Sequence, residues 1–405
     1  MNSRKEKEVI KRNAELKQQL AANVLKLKIE AGLEKVRAVA LKMKKPADML
    51  EVCKTISLQL QKLGVKEIRN VQTAIFYESK GAYMNYEYYA KHKKTFITET
   101  VYTNHKIAKA FASQMLKGKG EVYTTHIKGK KVKDWLAYQK TTNVFIDRFL
   151  EKANSLNYYW HSLGPVALGM STYDPLNEDE LNLFKRFLKV FELAYKRYMD
   201  IEQAMAQARE AKIETALEKV RARTMAMQKS EELAETSLVL FQQFKNLGET
   251  SEQISIGIFK EEENIMELYS TLYGSQWKEA AKVDLDEPVV MKKIHAGWKE
   301  QKRSLVIDIT GKDLRKYNVY RKRLSNLEFK EDRWVIHIAF FSKGTIIFST
   351  TEPHPQETIQ LLERFAGVFE QTYTRFLDLK KAEAQAREAQ IEASLERIPS
   401  SKICS

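Results

Sequence analysis

Ile213-Glu214-Thr215-Ala216-Leu217-Glu218-Lys219-Val220-Arg221-Ala222 decides how this chain is organised, because the chain uses it more than once. Ile29-Glu30-Ala31-Gly32-Leu33-Glu34-Lys35-Val36-Arg37-Ala38 is a second copy, and Ile391-Glu392-Ala393-Ser394-Leu395-Glu396-Arg397-Ile398 is an unfinished third. Solenoid and propeller repeats recur at roughly 20 to 50 residues. These copies start at 29, 213 and 391, intervals the size of a domain. The sequence therefore reads as two copies of one unit, each opened and closed by the same kind of helix.

That helix carries a heptad pattern. Phe187, Phe191, Ala194, Tyr198, Ile201, Met205 and Ala208 step by four and three, the a/d spacing of a coiled coil. The stripe restarts at Ile213, Leu217, Val220, Thr224 and Met227 after a step of five, which rotates it around the helix. Phe365, Phe369, Phe376 and Leu379 lead into the same break before Ile391. Two readings stay open. One is a long helix whose halves bury against different neighbours. The other is a signalling helix whose phase break is over- or underwound. Both predict a parallel homodimer with these residues as its seam.

Composition limits the function classes. The 405 residues suggest two to three domains, and 43% apolar content with 18 Phe and 18 Tyr supports ordinary cores. No stretch approaches the ~18 consecutive apolar residues of a membrane span, and the charged N-terminus has no signal core. A cytoplasmic location is expected, and two cysteines, Cys53 and Cys404, make no disulfide framework. The net charge of +15 raises nucleic acid as a partner. The lysines are scattered without interleaved aromatics, so a solvated basic face is the preferred reading.

Between the helices, strand-like alternation marks Val71–Tyr77, β-forming residues mark Tyr83–Tyr89, Glu121–His126 is a short strand, and Tyr158–His161 and Val166–Met170 look like an antiparallel pair around Gly164-Pro165, with helices near 104–116 and 133–150. The second copy repeats the course, with strands around Ile254–Ile258, Met266–Ser270, Leu305–Ile309, Trp334–Phe341 and Thr345–Phe348. This order predicts an α+β fold with antiparallel sheets flanked by helices.

The order resembles the GAF fold. The segment from Arg364 to Leu379 with Ala382-Glu383-Ala384-Gln385-Ala386-Arg387-Glu388-Ala389 is similar to linkers of GAF-like sensor modules in bacterial two-component sensor kinases, notably from the Bacteroidetes. Phe187, Val190-Phe191-Glu192 and Gln207-Ala208-Arg209-Glu210-Ala211 match in the first copy, as does Leu217–Met227 with Ser230-Glu231-Glu232-Leu233. The resemblance implies a helix over 1–45, GAF-like units over 46–186 and 230–364, coiled-coil linkers over 187–229 and 365–398, and a divergent tail over 399–405. It implies a homodimeric, non-catalytic, cytoplasmic sensor with a small-molecule ligand and a kinase or response-regulator partner. No ATP-binding box is visible, and after Arg397 the third copy departs through Pro399, which reads as a truncation or fragment boundary. A truncated sensor kinase and a constitutive dimeric scaffold are the rival readings.

The seven histidines show no metal spacing, and no cofactor is evident. His337, on an apolar strand, reads as a core or pocket-edge histidine. Cys53 is a poor chromophore anchor because it belongs to a helix outside the pocket side. By resemblance, the ligand surface is the sheet face under the middle helices. In the second unit that surface would include Tyr269, Tyr273, Trp277, Trp298, Trp334 and His337. In the first it would include Tyr86, Tyr88, Tyr123, Trp135 and Trp160.

Overall fold

The computed structural model describes residues 2–141, 145–272, 275–276, 280–325 and 330–396. The chain divides into two compact units, Met1–Gln207 and Ala208–Ser405. Each is an α+β body with its own sheet and its own cores.

The first unit runs α1 (Asn2–Leu41), α2 (Met49–Lys62), β1 (Ile68–Tyr77), β2 (Ala82–Tyr89), β3 (Lys94–Val101), α3 (Lys106–Met115), β4 (Val122–Lys128), α4 (Lys130–Gln139), β5 (Ser155–Ser162), β6 (Val166–Thr172) and the long α5 (Glu178–Met225). Its sheet has the order β3-β2-β1-β6-β5-β4, and every pairing is antiparallel. One face packs on α1, α2 and the first half of α5. The other packs on α3 and α4. With both faces covered, β1, β5 and β6 are buried almost end to end, which explains their weak polar alternation.

The second unit repeats the plan with α6 (Leu233–Asn246), β7 (Gln253–Lys260), β8 (Ile265–Leu272), a two-residue β9 (Ser275–Gln276), β10 (Ala281–Asp284), α7 (Met291–Lys299), β11 (Ser304–Thr310), α8 (Gly311–Ser325), β12 (Arg333–Phe341), β13 (Gly344–Thr350) and α9 (Gln356–Glu396). The sheet order β10-β8-β7-β13-β12-β11, with β9 paired to β8, is the first unit's order strand for strand. The turn between the first two strands is left-handed in both units, at Gly81 (φ 60°) and at Asn264 (φ 55°). Gly and Asn are the residues that tolerate this conformation most readily.

Two edge strands, β3 and β10, carry little apolar alternation, and neither was expected from the pattern. The expected helix over 133–150 is also corrected: α4 ends at Gln139. Beyond it Phe145 stacks on Phe96 at 4.3 Å and Asp147 enters the core, contacts that a continued helix would not make.

The heptad stripe finds its neighbours inside the chain. Phe187, Phe191, Tyr198 and Ile201 sit in the first unit's core beside α1, α2 and the sheet. Ile213, Leu217 and Val220 sit in the second unit's core with Phe365, Phe369 and Phe376 of α9. These side chains are at most 8% exposed, so they are not available as a seam between two copies. The step of five is where the helix leaves one core and enters another. Met205 and Leu379, at 54% and 56% exposure, are the seam positions left in solvent. The repeated motif behaves alike in its first two copies, where Ile29 and Ile213 are buried; Ile391 is 55% exposed.

Phe187→Ala should therefore destabilise the first unit by about 3–5 kcal/mol, the usual cost of truncating a buried Phe. Urea unfolding at several protein concentrations checks this. A loss that shrinks as concentration rises would return Phe187 to an intermolecular seam.

Candidate functional site

Between the first unit's sheet and helices α3 and α4 lies a cavity of about 60 Å³. A water needs roughly 10–15 Å³ by this measure, so the space suits about four to six water-sized atoms. Its floor comes from alternate residues of β1, β2 and β5: Gln72; Tyr83, Asn85 and Glu87; Tyr158 and Trp160. Its roof is Ile107, Ala108 and Phe111 of α3 with Trp135, Tyr138 and Gln139 of α4. Trp160 fits because it lies across Gly169 on β6, where an added Cβ would stand 2.3 Å from the indole.

Arg69 reaches the cavity through a β-bulge. Ile68 pairs with Thr172 and Asn70 with Ser171, leaving Arg69 as the extra residue of β1. A bulge re-aims the side chain it carries, and here it turns a cation into the interior. Arg69 is 2% exposed. Its Nε donates to Asp147 Oδ2 at 3.0 Å, and its guanidinium lies 5.1 Å from the Tyr89 ring centroid. Asp147 also accepts from the Phe149 amide (2.9 Å) and from the Tyr173 hydroxyl, and lies 2.9 Å from His92 Nε2. Burial alone would raise the Asp147 pKa; the Tyr173 hydrogen bond and the Arg69 charge outweigh it and hold the carboxylate below its ordinary value.

Glu87, the second buried carboxyl, has the opposite bias. It accepts from Asn70 Nδ2 (3.0 Å), Tyr89 Oη (3.1 Å) and Thr98 Oγ1 (3.2 Å), yet burial is the largest influence and raises its pKa. Two polar atoms here have no hydrogen-bond partner among the described residues, Arg69 Nη2 and Asn85 Oδ1. Buried orphans of this kind normally find a partner.

The intervening residues of the same strands face α5. Between Asn85 and Glu87, Tyr86 points to the other layer, where its hydroxyl lies 3.2 Å from that of Tyr198 on α5. Between Tyr158 and Trp160, Tyr159 accepts a hydrogen bond from the Leu176 amide just ahead of α5 (2.8 Å). His161, following Trp160, has its ring 5.8 Å from that of Phe184 on α5, and burial lowers its pKa to about 4.

The second unit carries other side chains at the corresponding sheet positions. Register matching puts Met266 and Leu268 at the places of Tyr83 and Asn85, and Ile336 and Ile338 at those of Tyr158 and Trp160. Ile347 stands where Gly169 makes room. The stretch from Gly64 to Asn70 is one residue longer than that from Gly248 to Gln253, and β7 begins at Gln253 with no bulge.

Tyr123, Trp135 and Trp160 line the first unit's cavity together. Tyr86 and Tyr88 do not: they face the helical stalk, as does Tyr269 in the second unit, because each is one residue out of phase with the cavity face. Trp334 is wholly buried under the Arg321 guanidinium (3.9 Å). Trp298 stacks on Phe259 at 4.4 Å and donates to the Phe341 carbonyl (3.1 Å) beside an open groove. His337 is a satisfied core histidine, with Nδ1 3.2 Å from the Phe348 carbonyl and Nε2 accepting from the His354 amide at 3.2 Å. Tyr273 and Trp277 lie outside the described residues. Cys53 is buried in α2 beside Thr73, and burial pushes its thiol up to about 12.

Sequence reading missed Arg69, Asn85, Glu87, Asp147 and Tyr158. A signal was present for two of them: Asn85 and Glu87 are polar residues at alternate positions of an aromatic strand. Among the described residues no cluster of three or more His, Cys, Asp or Glu groups could hold a metal ion, and no helix is long and apolar enough to cross a membrane. The chain matches no family model and no curated protein.

Glu87→Gln tests the electrostatics. A carboxyl whose pKa is raised by folding contributes stability below its unfolded value and loses it as pH rises through the folded value. The variant lacks that loss and keeps hydrogen-bonding capacity. Its stability relative to wild type should rise from pH 5 to pH 8 in thermal melts; a gap constant with pH would contradict the shift.

Proposed function

We propose that this chain is a GAF-like tandem sensory module in which the first unit binds a small molecule and α5 carries the event onward. One observation carries this reading. β2 and β5 each place alternate residues in the cavity and the intervening residues against α5 or its start, through Tyr86–Tyr198, Tyr159–Leu176 and His161–Phe184. A ligand that shifts either strand must alter contacts of the helix. The effect can be no larger than the ligand's differential affinity for the two arrangements.

In this reading the second unit, with Leu268, Ile336 and Ile338 at the matched sheet positions, is a structural relay. The output is a histidine kinase or response regulator in the cytoplasm, by resemblance to sensor-kinase linkers. The module works as a homodimer. Support for pairing comes from α1, where Leu16, Leu20, Val24 and Leu27 leave an apolar stripe in solvent. Light scattering on the purified chain should give twice 47.1 kDa, and Leu20→Lys should shift it toward monomer.

A thermal-shift screen of small metabolites tests the sensor itself, since a ligand at ~100 times its Kd stabilises by about 2.7 kcal/mol. With a hit bound, amides of α5 over 184–201 should exchange more slowly. Tyr198→Phe should retain binding and lose much of that protection. Protection unchanged in the variant would remove the proposed route, and a screen without hits would favour the scaffold.

A further inference from the structure

Resting on that reading, we infer that the first unit's cavity takes a short-chain carboxylate, held by Arg69 and hydroxyl donors against aromatic walls. The cavity lining includes the Arg69 guanidinium and the hydroxyls of Tyr83, Tyr123, Tyr138 and Tyr158 as donors, beside the acceptors Asn85 and Glu87. Arg69 Nη2 is buried and lacks a partner among the described residues, and a guanidinium offers N–H groups in the plane that suits a carboxylate. Tyr158 accepts from Trp135 Nε1 at 2.9 Å, so its own proton is free for an acceptor. Burial raises the pKa of Tyr83, Tyr123, Tyr138 and Tyr158, which keeps these phenols as donors.

The two carboxyls nearby do not repel an incoming anion equally. Asp147 is already matched by Arg69, His92 and Tyr173. Glu87 is held by three donors and biased by burial toward its neutral form. Asn85 has two settings: its Nδ2 now donates to Thr100 Oγ1 at 3.3 Å, and turning the amide would let Thr100 donate instead and offer Nδ2 to the ligand. The volume sets the size, since about four to six heavy atoms describe acetate, propionate, pyruvate or lactate. Trp160, Phe111 and Trp135 form the apolar wall for such a short tail. The second unit replaces Asn85, Tyr158 and Trp160 by Leu268, Ile336 and Ile338, so it serves as an internal control.

The test is a titration of the full chain with sodium propionate, sodium chloride and propionamide, read by tryptophan fluorescence and by broadening of ¹³C-labelled propionate. Propionate should saturate, chloride should not, and propionamide should bind at least about tenfold more weakly, given the extra strength of charge-assisted hydrogen bonds. Arg69→Met should abolish binding. Because that variant also breaks a buried ion pair, Tyr158→Phe and Asn85→Leu are measured beside it, each expected to weaken propionate about fivefold with the fold intact. Propionate acting no differently from chloride, or binding unchanged in Tyr158→Phe and Asn85→Leu, overturns the assignment. If propionamide or other neutral molecules bind while carboxylates do not, the ligand class falls and the sensor reading stands; if nothing of either kind binds, both fall.

Discussion

Asn85 and Tyr86 are joined by a single peptide bond and belong to opposite layers of the first unit. A pleated strand permits nothing else, since successive side chains leave opposite faces. In a sheet open to water on one side this alternation sorts polar from apolar residues. Here both faces are covered, so it sorts one interior from another: a polar, aromatic cavity from a stalk of long helices. The strand cannot slip by one residue without exchanging the two sets. That fixes which groups meet a ligand and which meet α5.

The polar interior has a second constraint. Arg69 and Asp147 are both essentially inaccessible, and removing one partner of such a pair typically costs 3–5 kcal/mol because the other charge stays stranded. Asp147 comes from beyond α4, so the ion pair ties the segment after that helix to β1. His92 and Tyr173 complete the ring of contacts around the same carboxylate. The second unit has Ile336, Ile338 and Ile347 in the equivalent layer, and its buried Arg321 lies over the Trp334 ring instead of in the sheet. One topology thus supports two kinds of sheet face, one with polar residues around a cavity and one with aliphatic residues at the matched positions.

Much of this architecture was legible in the chain. The recurring Ile-Glu-x-x-Leu motif marked the duplication, and alternation placed most central strands. Strands β3 and β10 escaped because they carry little apolar alternation, whereas the other edge strands, β4 and β11, were legible. Most of the heptad stripe is buried within the chain, whereas the spacing alone had suggested a seam between two copies: a/d spacing says that a helix face is covered, not by what. The site was harder. Trp135 and Trp160 announce themselves by size, whereas Tyr86 differs from Tyr83 only in phase. Arg69 and Asp147 lie 78 positions apart, and nothing local distinguishes them from surface charges.

The β-bulge separates the two units in a way that side-chain exchange cannot bridge. The differences traced through strand register are replacements at matched positions, but Arg69 occupies a position that the second sheet does not have. Swapping residues would hollow out the second interior without supplying a cation at its end. Converting one unit into the other's kind requires a change in backbone length, so descent by substitution alone would keep the two roles apart once the extra residue had been gained or lost.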